Sequence, residues 1–110
     1  MRDNKIQQIL SNEIERQIDQ HNFIASENFA SEAVMYYCGS SFTNKYAEGY
    51  PGKRYYNGCG YYDELENYGI DLVTKLYSCN FANIQPHSGA NANLAIFKSF
   101  LKPNDTILGM

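Results

Sequence analysis

This sequence has no strong charge of either sign, no paired-cysteine motif and no long apolar run, and each absence removes a class of protein. A net charge of −3 over 110 residues gives no electrostatic case for a nucleic-acid or anionic-membrane partner. The cations at positions 45, 53 and 54 still leave room for a small anion. Three cysteines, Cys38, Cys59 and Cys79, are an odd number without a CxxC pair. That argues against a disulfide framework and against a zinc site, and for reduced, partly buried thiols. The stretch MRDNKIQQILSNEIERQ mixes charges throughout and has no signal-peptide core, and no later segment reaches membrane-spanning length. A cytoplasmic setting is the default expectation.

What is present is apolar and aromatic: 44 % hydrophobic residues and 15 % aromatics are enough for a packed core in one domain of ordinary size. Ile6, Leu10, Ile14 and Ile18 recur every four residues beside Ile9, with Lys5, Asn12, Glu13, Glu15 and Arg16 on the other face. This spacing predicts a narrow amphipathic helix, an arm that lies on some larger surface whose owner need not be this chain. Ser31 is placed to cap a short helix from Glu32 to about Tyr37.

From Gly39 to Gly60 neither a helical nor a strand period is sustained. The glycines and Pro51 predict a loop, with YPGK as a turn. Six of the ten tyrosines lie between positions 46 and 62, which predicts an ordered loop whose rings pack on something. YYDELENYGIDLVTKLYS then sets Tyr61, Leu65, Tyr68, Leu72 and Leu76 on one helical face, with Asp63, Glu64 and Glu66 in the first turns.

The last third reads as a strand at Phe81 to Ile84, a small-residue turn, and a helix carrying Leu94, Phe97 and Leu101. A turn at Pro103 to Asp105 and a strand from Thr106 to Met110 follow. Strand, helix, strand is the start of an α/β layer with a parallel sheet, which two strands cannot complete, so the chain looks cut off.

Chemistry could sit in three places. The turn HSGAN, His87 to Asn91, joins a strand to a helix, where unpaired N–H groups and the helix dipole can hold an anion. Ser88 as a plain cap, with Gly89 easing the turn, is the commoner outcome, and a loop histidine such as His87 is more often structural or solvated. In ASEN, Ser26 has no partnered histidine, and a turn satisfied by Ser and Asn side chains accounts for it. Glu48, amid tyrosines, could move a proton or simply pair with Lys45 or Arg54.

Taken jointly, FIASENF at 23–29, TNKYAEGYPGKRYY at 43–56, GC at 58–59, NIQPHSGANAN at 83–93 and DTILGM at 105–110 resemble the serine hydroxymethyltransferase family, in order and at its spacing. The resemblance implies a fold type I pyridoxal-phosphate enzyme, a homodimer or dimer of dimers with active sites shared between subunits, that moves a one-carbon unit between serine and tetrahydrofolate and yields glycine. Residues 1–60 would form an N-terminal arm and a dimer-reaching active-site loop, and 61–110 the start of the cofactor-binding large domain.

Residue by residue, the resemblance places Tyr46 on the cofactor phosphate of the neighbouring subunit and Glu48 at the serine hydroxyl and folate. Tyr55 and Tyr56 line the folate and amino-acid side of the pocket, and Ser26 lies near the amino-acid carboxylate and cofactor. Ser88, Gly89 and Ala90 hold the cofactor phosphate. Asn91 stands where glutamine or proline is usual, Asn57 where glycine is usual, Gly60 where an acidic residue is usual and Phe42 where leucine is usual.

The family's lysine that carries the cofactor, and the aspartate, histidine and arginine that complete the site, fall beyond Met110. The 110 residues alone are therefore expected to be inactive. A non-catalytic protein that pairs with a full-length subunit is the alternative, told apart by co-purification with an intact subunit. A third reading, an anion- or nucleotide-binding module with tyrosine platforms, fits poorly with the net charge.

Overall fold

A computed structural model of the chain describes residues 3–109. Its elements in order are α1 (Asn4–Asp19), α2 (Glu32–Cys38), a 3-10 turn (Ser41–Asn44), β1 (Gly49–Tyr50), β2 (Lys53–Arg54), α3 (Gly60–Tyr77) and α4 (Gly89–Phe100). The chain divides into two units between Ser41 and Phe42. None of the described helices is long and apolar enough to cross a membrane.

In the first unit, Asp3 starts α1 by accepting from the backbone N–H groups of Lys5 and Ile6 at 2.8 and 3.3 Å, which satisfies two donors that a helix start leaves orphaned. One turn from the other end, the Arg16 guanidinium forks onto Glu13 at 2.8 and 2.7 Å. That bond, with a second from the Gln17 amide, holds the Glu13 carboxyl down to about 2. The predicted apolar stripe forms and stays open, with Ile6 61 % and Ile18 77 % exposed. Ser31 caps α2 as expected, its hydroxyl accepting from Val34 N–H at 3.3 Å.

The second unit holds an antiparallel hairpin and two helices. β1 and β2 pair Gly49 with Arg54 and Tyr50 with Lys53, closed by the Pro51–Gly52 turn. Gly52 has φ +72°, the left-handed value that the third position of a type II turn demands. Gly49 is more constrained: its φ is +102°, and a Cβ there would collide with the Lys53 carbonyl. Both glycines are thus required by the hairpin, and the stretch expected to be a loop contains a small sheet.

Three expectations need correction. The segments at 81–84 and 106–109 form no strands, because an extended stretch becomes a strand only against a neighbour, and the sole ladder among the described residues is β1–β2. Met110, the end of the second expected strand, lies outside the described residues. The architecture is therefore mixed helix with a two-stranded sheet, compatible with α/β. Second, no packed core assembles within either unit: among the described residues of each, no two helices pack face to face, and Cys59 is the one buried apolar residue. Third, that leaves only one of the three thiols buried, since Cys38 and Cys79 are exposed.

Candidate functional site

Arg54 organises the tyrosine-rich loop. Its Nε donates to Asp63 at 2.7 Å and its Nη2 to Glu66 at 2.7 Å, while Nη1 reaches the carbonyls of Ala47 at 2.7 Å and Gly49 at 2.9 Å. The Arg54 side chain is only 6 % exposed, so a charge taken from water is met by two carboxylates and two carbonyls. Asp63 also accepts from the Gly52 N–H at 2.9 Å. That bond, and then Arg54, hold the Asp63 carboxyl below its usual range, while Asp63 first and then Glu66 raise the guanidinium.

Gln85 closes the network from the segment that leads into α4. Its side-chain amide donates to the Gly49 carbonyl at 2.9 Å and to Glu66 at 2.7 Å, and Asn83 donates to the Tyr50 hydroxyl at 3.3 Å. At the loop base, Lys45 Nζ donates to the Asn57 carbonyl, and the Phe42 and Tyr62 rings meet edge to face at 5.0 Å. A cavity of about 230 Å³ lies beside this network, lined by Ala47, Tyr62, Leu65 and Ile84 among others.

This wiring overturns the expected pairing of Glu48. Lys45 and Arg54 are both engaged elsewhere, and the exposed Glu48 carboxylate has no partner among the described residues. Apart from the half-buried Tyr62, the tyrosines between 46 and 62 do not pack inward either: Tyr46 and Tyr55 are 72 % and 82 % exposed. Tyr46 and Tyr56 form a tilted pair at 6.0 Å. The loop presents a carboxylate and phenol rings from a backbone pinned behind them.

At the start of α4, Ser88 accepts from Asn91 N–H at 3.1 Å, so the expected cap is present. The Gly89 and Ala90 N–H groups precede the first helical bond, which Ala92 makes to the Ser88 carbonyl. They have no partner among the described residues, and the space where a Gly89 Cβ would stand is open. Two free N–H groups, a hydroxyl proton free to donate and the positive end of a twelve-residue helix fit the phosphate of pyridoxal phosphate.

Ser26 belongs to the first unit, in an exposed turn closed by Glu27 N–H on the Ile24 carbonyl. Asn22 and Asn28, not Ser26, satisfy that turn's backbone, which corrects the expected role of serine there. A cavity of about 430 Å³ in this unit is lined by Arg16, Phe23, Glu27 and Phe29, among other residues, without Ser26. Residues 42–91 thus gather Tyr46, Glu48, Tyr55, Tyr56 and the Ser88–Ala90 turn in one unit, while Ser26 stands in the other.

Arg54, Asp63, Glu66 and Gln85 were not singled out by sequence reasoning as a structural network. The available signal was two carboxylates three residues apart on one face of α3, with an arginine nine positions earlier.

A family model described as Serine hydroxymethyltransferase matches residues 1–110. Among curated proteins, one named serine hydroxymethyltransferase from Wolbachia pipientis subsp. Culex pipiens is 58 % identical over 108 residues, covering 98 % of this chain and 25 % of its own length. Proteins of the same name from Ehrlichia ruminantium (strain Gardel) and Erythrobacter litoralis are each 54 % identical over 108 residues. Both matches cover 98 % of this chain, and 26 % and 25 % of the respective relatives. The chain spans about a quarter of the length of these relatives.

Proposed function

The chain belongs to the serine hydroxymethyltransferase family, and on that premise we propose that it supplies the flap and phosphate cradle of a pyridoxal-phosphate-dependent transferase interconverting serine and glycine with tetrahydrofolate as one-carbon acceptor. The observation that carries the reading is the pairing of a rigid backbone with unspent chemistry. Arg54 fixes the loop from behind, while Glu48 and the rings of Tyr46 and Tyr55 face outward.

An exposed loop of this kind suits a site completed by a second subunit, which fits a homodimer of fold type I whose subunits share active sites. Pyridoxal phosphate, when bound, supplies the electron sink for bond cleavage at the amino-acid α-carbon. Ser88, with the N–H groups of Gly89 and Ala90, holds its phosphate, and Tyr46 of the neighbouring subunit adds a hydroxyl. Glu48 accepts and returns the proton at the serine hydroxyl oxygen. Tyr55 and Tyr56 flank the amino acid and folate, and Ser26 meets the amino-acid carboxylate. Residues 1–110 hold only part of this site and by themselves do not turn over substrate.

The test uses a full-length chimera in which residues 1–110 replace the matching quarter of the Wolbachia pipientis relative. E48Q lowers kcat by about 10²–10⁴-fold. Mixing E48Q subunits with subunits that lack the cofactor lysine restores activity absent from either parent, because one hybrid site then has every group. An unchanged kcat in E48Q refutes the role of Glu48, and no recovery on mixing refutes the shared site.

The exposed α1 stripe favours a second reading, a chain that pairs with a full-length subunit without catalysing anything itself. Co-purification of the 110-residue chain with an intact subunit supports it, and failure to co-purify decides against it.

A further inference from the structure

We propose that Arg54, backed by Gln85, is the positioning device for Glu48. The guanidinium donates to the carbonyl of the residue before Glu48 and to that of the residue after it, at 2.7 and 2.9 Å from the same Nη1. The Glu48 carbonyl is held separately, by the Tyr55 N–H at 3.0 Å. Three successive carbonyls, of Ala47, Glu48 and Gly49, are thereby anchored, and the backbone of Glu48 is held although its exposed carboxylate has no partner among the described residues.

Gln85 adds a second donor to the Gly49 carbonyl and ties it to Glu66, which also receives Arg54. Lysine cannot replace Arg54 here. One ammonium on a flexible stem does not span two carbonyls on one side and two carboxylates on the other, whereas a planar guanidinium does. The arrangement serves proton transfer because a carboxylate on a wandering loop spends little time at hydrogen-bonding distance, and a misplacement of about 1 Å can cost about 10²-fold in rate.

This inference rests on the proposed role of Glu48 in proton handling, and the experiment separates the two. In the full-length chimera, kcat, KM for serine and deuterium uptake of the 47–56 segment are measured for R54K, Q85A, E48Q and the doubles R54K/E48Q and Q85A/E48Q. R54K is expected to lower kcat by about 10²-fold with KM for serine little changed, and to speed uptake in 47–56 but not across 66–77. Q85A acts in the same direction with a smaller loss. Neither adds appreciably to E48Q, because a positioning residue has nothing left to position once the carboxylate is gone.

If R54K multiplies the loss of E48Q, Arg54 acts on something else and the inference fails while the Glu48 reading stands. If E48Q leaves kcat unchanged, the Glu48 reading fails and the inference falls with it. Should R54K not assemble, Q85A decides by the same criterion: losses that multiply with E48Q overturn the proposal.

Discussion

The Asn91 side chain accepts a hydrogen bond from the His87 backbone N–H at 3.3 Å, while the Asn91 N–H is itself held by Ser88. The two residues lock the turn before α4 from both sides, as a capping box does. Asn91 is one of the positions where this chain departs from the family pattern, and the departure has a structural use. N91P removes both bonds and is expected to destabilise the full-length chimera by about 1–3 kcal/mol, read from its urea midpoint. N91Q keeps the backbone bond and costs less.

Ser88 has two separable duties. S88A loses the cap, at about 1 kcal/mol, and loses the hydroxyl that we assign to the cofactor phosphate. S88T keeps both. Equilibrium dialysis of the chimera should show weaker pyridoxal phosphate retention in S88A, with binding of pyridoxal, which has no phosphate, unchanged. Equal losses for both compounds would place the cradle elsewhere.

Gly49 and Gly52 are expected to differ in their tolerance of a side chain. G52A meets open space and suffers only the left-handed backbone, about 1–2 kcal/mol. G49A adds a collision with the Lys53 carbonyl to a similar backbone penalty, so it should cost more than about 3 kcal/mol. Urea midpoints of the two variants rank them directly.

The Asp63 carboxyl sits below its usual range because the Gly52 N–H and the Arg54 guanidinium both favour the charged form. In the unfolded chain it takes a proton near its ordinary value, about 4, and in the folded chain only at lower pH. Its contribution to stability is therefore whole above that value and disappears as pH falls through the folded value. The Gly52 amide should stay protected from exchange through the ordinary carboxylate range and lose protection only as pH falls below it, through the lowered folded value of Asp63. D63N should lose that protection at neutral pH and show no such acid step.

Local spacing made the helices and the hairpin turn legible in the sequence. The four-residue repeat of Ile6, Leu10, Ile14 and Ile18 gave α1, Ser31 and Ser88 marked two caps, and Pro51–Gly52 marked the turn. The two expected strands failed because an apolar run states only that a segment wants cover, not that a neighbouring strand stands beside it. The Glu48 ion pair failed for a related reason. Sequence puts Lys45 and Arg54 close to Glu48 along the chain, but the hairpin turns Arg54 toward α3, where Asp63 and Glu66 offer two carboxylates. The unpartnered state of Glu48 follows from that competition.

Cys59 sits 4 % exposed at the base of the loop, its sulfur 3.9 Å from the carbonyls of Tyr46 and Asn57, while the other two thiols are open to solvent. Alkylating reagents should therefore modify Cys38 and Cys79 at once and reach Cys59 only when the flap lifts from its seat. The chain carries its own stopwatch for that opening, and any ligand that steadies the flap lengthens the interval it records.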